Sequence, residues 1–337
     1  MRQTFKRIIR LLLFCITYSA LFILGCTTQQ TPSHSGPPTK MIIGIYRGEL
    51  TTVLYMAEQS GYLKQMGIDA ELRDFESGAA AVAALNEGRV DLATGADFVF
   101  ASNIARHPDL RAVASINSAD NVQIVARRDR GIHKITDIKG KRIAVTLTTP
   151  GEYFLGKQLS YLRLKQDDVT MVNMPPTTAE KEMAAGSVDA AIFWNPVARR
   201  IRESLGSNGT SWPAQAGSRF HMLLISRDSF IKKEAPAMVR LMKALHMAEK
   251  AIESDPAAAR RHIAKRIGMP EAYLADVWGD NRFRVSLDRS LLLALEDESR
   301  WITRSQGTAG QKPLNYLDYI YFEALESTHP DSVTIIH

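Results

Sequence analysis

"EGRVDLATG" (residues 87–95) and "GSVDAAI" (residues 186–192) decide the reading of this chain. In each copy a helical alanine run ends on Gly. One residue follows, and then Val-Asp opens a short apolar strand. Gly88 and Gly186 lie 98 positions apart. Glycine supplies the left-handed turn that ends a helix at little steric cost. Val is expected inward and Asp at the solvent end of each strand. Two copies are too few for a stacked-repeat array. The repeat therefore marks two similar α/β lobes.

Working outward from the first copy, residues 41–126 alternate strand and helix. "MIIGI" is an apolar strand and "TTVLYMAEQS" has helical spacing that stops at Gly61. "IDAELRDF" alternates like a strand and "GAAAVAALNE" is a helix ending at Gly88. "VDLATG" is a strand, "FVFASNIAR" a helix, and "LRAVASI" and "VQIVARR" are strands. Around the second copy the pattern restarts near residue 131 with "ITDIKGKRIAV", a helix at "GEYFLGKQLSYLRL", the strand "VTMVNM", the helix "TAEKEMAAG" and the strand "VDAAIFW". "GSNGTSWPAQAGS" reads as a loop and "HMLLISR" as a strand. From about 235 the chain turns helical, and its last helix is expected over "LNYLDYIYFEALES", with apolar residues at 314, 317, 320, 321, 322 and 325. Such alternation implies a largely parallel sheet with helices on its faces.

The chain has 337 residues, 45% apolar and 23% charged, which suits two globular lobes. Residues 1–25 form a secretory signal: Arg2, Lys6, Arg7 and Arg10 head a short apolar stretch that ends Leu24-Gly25-Cys26. The stretch is short for a spanning helix, although an uncleaved anchor with a chance Cys is the alternative. Residues 26–40 are polar and Pro-rich, a flexible tether. The 42 basic and 36 acidic residues give +6, but the four basic residues of the signal leave 38 against 36, or +2. That balance gives no warrant for nucleic-acid binding. The two cysteines are Cys15 and Cys26, so the folded body has neither disulfide nor thiol nucleophile.

Three stretches taken in order carry a family resemblance: "YMAEQSGYLKQMGIDAELRDFESGAAAVAALNEGRVDLATG", "ITDIKGKRIAV" and "TMVNMPPTTAEKEMAAGSVDAAIFWNP". The series resembles the substrate-binding proteins of nitrate/sulfonate/taurine-type ABC importers, relatives that bind thiamine-pyrimidine precursors included. No single motif is decisive, but the ordered series over about 45–200 is specific. The Gly-Cys pair resembles the bacterial lipobox, which implies lipidation at Cys26 and a membrane anchor outside the cytoplasm. The resemblance implies a periplasmic-binding-protein-like (type II) α/β fold. Residues 41–125 plus 225–337 would form lobe 1 with C-terminal helices, and 126–224 lobe 2, with crossings near 122–130 and 220–228. It also implies a monomer that closes on a small ligand by hinge motion and hands it to an ABC permease with its cytoplasmic ATPase, with no cofactor and no chemistry.

Ligands of open parallel sheets sit beyond the carboxyl ends of the strands. That rule selects Tyr46, Arg47, Gly48 and Glu49 after the first strand, Ser77 and Gly78 after the second, and Asp97 and Phe98 after the third. In the second lobe it selects Thr148, Thr149, Glu152 and Tyr153, then Trp194 and Asn195. Ser77-Gly78 and Thr148–Gly151 offer N–H groups and hydroxyls at helix starts, which suit an oxyanion, though capping alone needs the same residues. Tyr46, Phe98, Tyr153 and Trp194 are candidates to wall the cleft, with core packing as the alternative. Glu49, Asp97 and Glu152 point to a cationic or N–H-rich ligand part unless they only cap helices or face solvent. Arg47 pairs with a ligand acid or with Glu49. A zwitterion or a heterocycle with ring N–H groups reconciles acids with aromatic walls.

Other motifs fail on inspection. Gly151-x-x-x-x-Gly156-Lys157 imitates a P-loop, but position 158 is Gln. The eight His are scattered without HExxH spacing, and there is no Gly-x-Ser-x-Gly. Two rival functions stand: a tethered sensor reporting to a membrane partner, and an enzyme of the pyrimidine-precursor synthase branch, whose clustered Cys and His this body lacks.

Overall fold

The computed structural model describes residues 36–305 and 314–337. The signal, most of the tether and Cys26 lie outside the described residues. The first lobe opens with β1 (Thr39–Tyr46), α1 (Thr52–Gln59), α2 (Tyr62–Gln65), β2 (Ile68–Phe75), α3 (Gly78–Asn86), β3 (Leu92–Ala96), α4 (Asp97–Ile104) and β4 (Leu110–Ala119). There follow β5 (Val122–Arg127), β6 (Arg142–Val145), α5 (Pro150–Tyr161), β7 (Thr170–Asn173), α6 (Pro176–Ala185), β8 (Ala190–Trp194), α7 (Val197–Leu205) and β9 (Gly209–Pro213). The chain then returns through β10 (Phe220–Arg227), α8 (Asp228–Lys233), α9 (Ala235–Ser254), α10 (Pro256–Ile267), α11 (Glu271–Val277), β11 (Asn281–Arg282), α12 (Arg289–Ser305) and α13 (Glu323–Glu326).

Two sheets result, ordered β11-β4-β10-β3-β1-β2 and β7-β6-β8-β5-β9. Each contains a parallel trio, β2-β1-β3 and β7-β6-β8. Beside each trio lies an antiparallel strand that has crossed over from the other sheet, β10 in the first and β5 in the second. The sheets are thus more mixed than the alternation alone predicts, because a strand that returns through a crossing runs against the trio. The innermost strands, β3 and β8, are buried along their whole length, as strands covered on both faces must be.

The repeated motif has a structural job in both lobes. Gly88 and Gly186 both take φ +75°, ending α3 and α6 in the left-handed conformation. Val90 and Val188 are buried. The aspartates are not at a solvent end. Asp91 gives its N–H to the carbonyl of Ile42 at 2.8 Å and accepts the N–H of Ile42 on Oδ2 at 2.8 Å. Asp189 does the same with Arg142, at 2.9 Å in both directions. Each Asp adds one rung to a parallel ladder with its side chain.

The chain passes between the sheets at 120–121 and 214–219. The ranges expected for the crossings, 122–130 and 220–228, are occupied instead by paired strands, because β5 bonds to β8 and β9 and β10 bonds to β3 and β4. The expected loop at 206–218 contains β9, an edge strand on β5. The expected C-terminal helix is a 3₁₀ turn (Tyr316–Tyr319), an extended link and the short α13. Ile320 forms a parallel bridge with Ala112, and Tyr321 gives its N–H to the Ala112 carbonyl at 2.9 Å. The apolar stripe there reflects a chain wrapped over β4 and buried on one side, a requirement that does not need helical periodicity.

Candidate ligand-binding cleft

The carboxyl ends of the two parallel trios face each other across a cleft. Tyr46 and Ala96 end β1 and β3, Gly78 opens α3, Thr149 and Pro150 open α5, and Trp194 ends β8. Together with Leu50, Val99, Phe220 and Met222 they line an inner chamber of about 20 Å³. That is little more than the room one water needs. Tyr46 and Trp194 close it from opposite lobes, ring centroids 6.1 Å apart and edge to face. The Tyr46 hydroxyl donates across the cleft to the Asn195 carbonyl at 3.4 Å. Burial raises its pKa well above the ordinary phenol value.

An outer hollow of about 460 Å³ adjoins the chamber and shares Tyr46 with it. Arg47, Gly48, Asp74, Glu76, Thr177 and Arg200 are among its walls. Thr177 donates to Glu76 at 3.0 Å across the mouth. Arg47 does not reach Glu49. Its guanidinium lies 3.9 Å from Asp74 and donates to the Ile267 carbonyl at 3.2 Å. Gly48 leaves space for the Tyr46 ring, which would stand 2.2 Å from any Cβ placed there.

Behind Tyr46 lies a buried polar node. Glu49 has no exposed surface. Its Oε1 accepts from Asn121 Nδ2 at 3.3 Å, and its Oε2 has no hydrogen-bond partner. Burial raises its carboxyl to about 7. Asn121 Oδ1 is also buried without a partner, while the Tyr273 hydroxyl faces Glu49 and Trp194 Nε1 faces Tyr46. A buried acceptor or donor left unpaired costs free energy that a ligand group can recover. Asn121 and Tyr273 were not singled out in the sequence. One sits at a crossing and the other in a helix 224 positions from Glu49, and neither has a local motif.

The other selected residues divide. Ser77 accepts the Ala80 N–H at 3.1 Å, a helix cap, while Gly78 beside it lines the chamber. Thr149 is buried and lines the chamber, its hydroxyl donating to the Thr146 carbonyl at 2.6 Å. Thr148 gives its N–H to Glu152 at 2.6 Å, so one Glu152 oxygen is occupied in holding that loop. Asn195 passes its own N–H to the Asn121 carbonyl at 3.2 Å. Asp97, Phe98 and Tyr153 lie outside the chamber wall. Asp97 is fully buried and accepts the N–H groups of Phe98 and His221. Phe98 stacks on Tyr153 at 5.4 Å, and both pack against Trp301. The Tyr153 hydroxyl donates to Asp297 at 2.5 Å, beside Lys157 at 2.8 Å. These aromatics clasp α12 to α5 and so join the lobes. Among the described residues no group of His, Cys, Asp or Glu is placed to hold a metal ion.

Two α/β lobes, two crossings and an aromatic cleft at the strand ends define a protein of the periplasmic-binding-protein fold. The alkanesulfonate-binding protein of Xanthomonas axonopodis pv. citri, solved with MOPS bound, superposes with a TM-score of 0.74 at 21% identity, covering 85% of this chain and 99% of that one. Residues 50–259 match the NMT1/THI5-like family, and the chain belongs to it. A Brucella abortus protein whose name assigns it a binding role is 28% identical over 233 residues, 66% of this chain and 70% of the relative. The taurine-binding periplasmic protein of Escherichia coli K12 is 25% identical over 142 residues, 42% of this chain and 44% of its own length.

Proposed function

We propose that this protein is the extracytoplasmic solute-binding component of an ABC importer, and that it carries a small organic ligand with N–H groups rather than a simple sulfonate or nitrate. The observation that carries this reading is the chemistry of the chamber. Its lining holds no Lys or Arg, so an oxyanion there would have only the N–H groups at the starts of α3 and α5 to meet its charge. Behind Tyr46 the buried Glu49 supplies an acid, and Trp194 is part of the chamber wall. Arg47 and Arg200 stand in the outer hollow, where they suit the acidic end of a zwitterion. The ligand displaces the Tyr46–Trp194 contact, lies between the two rings and leaves intact. No thiol or metal cluster is available in the described body for chemistry on it.

The test is a thermal-shift panel on the full chain in mild detergent, with alkanesulfonates, nitrate, bicarbonate, pyrimidines and amines. A ligand at 100 times its dissociation constant adds about 2.7 kcal/mol of stability. The stabilising class should be amines or N–H heterocycles, and Trp194→Ala should reduce the shift. Stabilisation by sulfonates alone would overturn the ligand class, and turnover of any panel member would overturn the binding-only role. Anchoring through a lipidated Cys26 belongs to the same proposal. Cys26→Ser should move the protein from the membrane to the soluble fraction, and unchanged fractionation would refute the anchor.

A further inference from the structure

On the opposite side of β10 from the cleft lies a second hollow, of about 280 Å³. Phe220 and Met222 line the inner chamber, while His221 between them lines this one. Successive side chains of a strand point to opposite faces, so the two cavities are separated by the sheet. Arg219, Arg282 and Arg284 converge on the second hollow with Ser115, Ser118, Ser286 and Ser290. Among the described residues no carboxylate lies within 4.0 Å of any of the three guanidinium groups.

The one acid in the wall is already engaged. Asp288 accepts from the Ser290 hydroxyl at 2.5 Å, the Ser290 N–H at 3.0 Å and the Ser286 hydroxyl at 3.2 Å. Asp120 and Asp280 act on Arg219 from farther off, outside the lining. Arg219 uses Nη2 on the carbonyls of Ser118 and Asp280, and its Nε is buried without a partner. Burial first, and then the charge of Arg282, lower its pKa. His221 is fixed by Ser115 at 3.1 Å on Nδ1 and Ser290 at 3.2 Å on Nε2, which holds the serine hydroxyls at the wall.

We propose that this hollow is a binding site for a phosphate-class oxyanion, held by Arg219, Arg282 and Arg284. Guanidinium groups match the tetrahedral oxyanion with paired, charge-assisted hydrogen bonds. The volume leaves space for a substituent, so a phosphomonoester or a phospholipid headgroup fits the same chemistry. Arg219 closes the 214–219 crossing and holds the end of β4 on the other side of the first crossing. The bound anion would therefore sit on the segments about which the lobes move.

Calorimetric titration of the full chain in mild detergent with inorganic phosphate, against chloride at matched ionic strength, tests the site. Wild type should bind, and the exposed pair Arg282→Ala/Arg284→Ala should bind about tenfold more weakly or worse, since each lost charged hydrogen bond removes that order of affinity. Ser290→Glu, a rim substitution that adds a carboxylate, should do the same if the double variant fails to fold. Trp194→Ala should bind phosphate as wild type does, which separates this site from the cleft. Sedimentation with phosphatidylglycerol against phosphatidylcholine vesicles identifies the source: a phosphatidylglycerol preference lost in the arginine variant marks a headgroup, and phosphate binding without that preference marks a free oxyanion. Absence of both, or phosphate binding unchanged in both the arginine and Ser290→Glu variants, overturns the proposal.

Discussion

Glu49 is a carboxyl with no exposed surface and one oxygen without a hydrogen bond. Burial holds its folded pKa near 7, against 4.5 for the ordinary value. The folded protein therefore binds a proton at Glu49 that the unfolded chain has released. This contribution to stability is fully present below pH 4.5 and is lost as pH rises towards 7. Its total is roughly 3 kcal/mol. Glu49→Gln, which mimics the protonated form, should match wild type at pH 4.5 and exceed it by roughly that amount at pH 8. Urea unfolding of both proteins at the two pH values measures it. Asp97 and Glu298 are raised in the same direction by burial, so the difference between the two proteins, not the wild-type slope alone, is the readout. A curve for Glu49→Gln parallel to wild type across that range would show that the fold leaves the Glu49 pKa unshifted. Position after a strand end was legible for Glu49 in the sequence. Its lack of solvent was not, because the covering groups come from Asn121 and Tyr273, far along the chain.

At the scale of elements, the Gly-x-Val-Asp motif is the clearest case of sequence specifying structure. A helix end, a left-handed Gly and an inner strand could all be read from composition and order. The ladder rung that Asp91 and Asp189 each make was not readable, because the partner N–H belongs to a strand about 50 residues upstream. Asp91→Ala should destabilise the fold by about 1.5–3 kcal/mol, the usual worth of a hydrogen bond to a charged acceptor. Asp189→Ala should cost less, since its bond to Arg142 is more exposed. Chemical unfolding of the two variants checks the order, and equal stability of Asp91→Ala and wild type would reduce the repeat to turn chemistry. The elements that escaped reading share a cause. β9 is a five-residue edge strand carrying Gly, Ser and Pro, and β11 has two residues. Such strands form because a neighbouring strand offers free backbone groups, and local propensity hardly registers that.

For the whole molecule, the two-lobed plan was legible from alternation and from the repeat, and the exact crossings were not. Gln215 explains part of the gap. It is buried in a segment whose composition reads as loop, yet its Oε1 accepts the N–H groups of Asn121 at 2.8 Å and Val122 at 2.9 Å. Its Nε2 donates to the carbonyls of Ala119 and Ser218, both at 2.9 Å. One side chain thus ties the two crossings together. Gln215→Ala leaves buried backbone groups unpaired and should cost about 2–4 kcal/mol. Hydrogen exchange should show the loss first at 119–122 and 214–218. Protection there equal to wild type would mean that the crossings are held by strand pairing alone.

The clasp of Trp301 and Asp297 of α12 on Tyr153 and Lys157 of α5 stands close to that tie, since Gln158 of the same helix reaches the Ala214 carbonyl at 2.8 Å. For the hinge closure that the proposed function requires, an axle pinned at neighbouring points would let the halves swing and resist sliding or twisting. If the proposed function holds, the separation of the rims would be a single coordinate that tracks occupancy, and a membrane partner touching only those rims would tell a loaded carrier from an empty one.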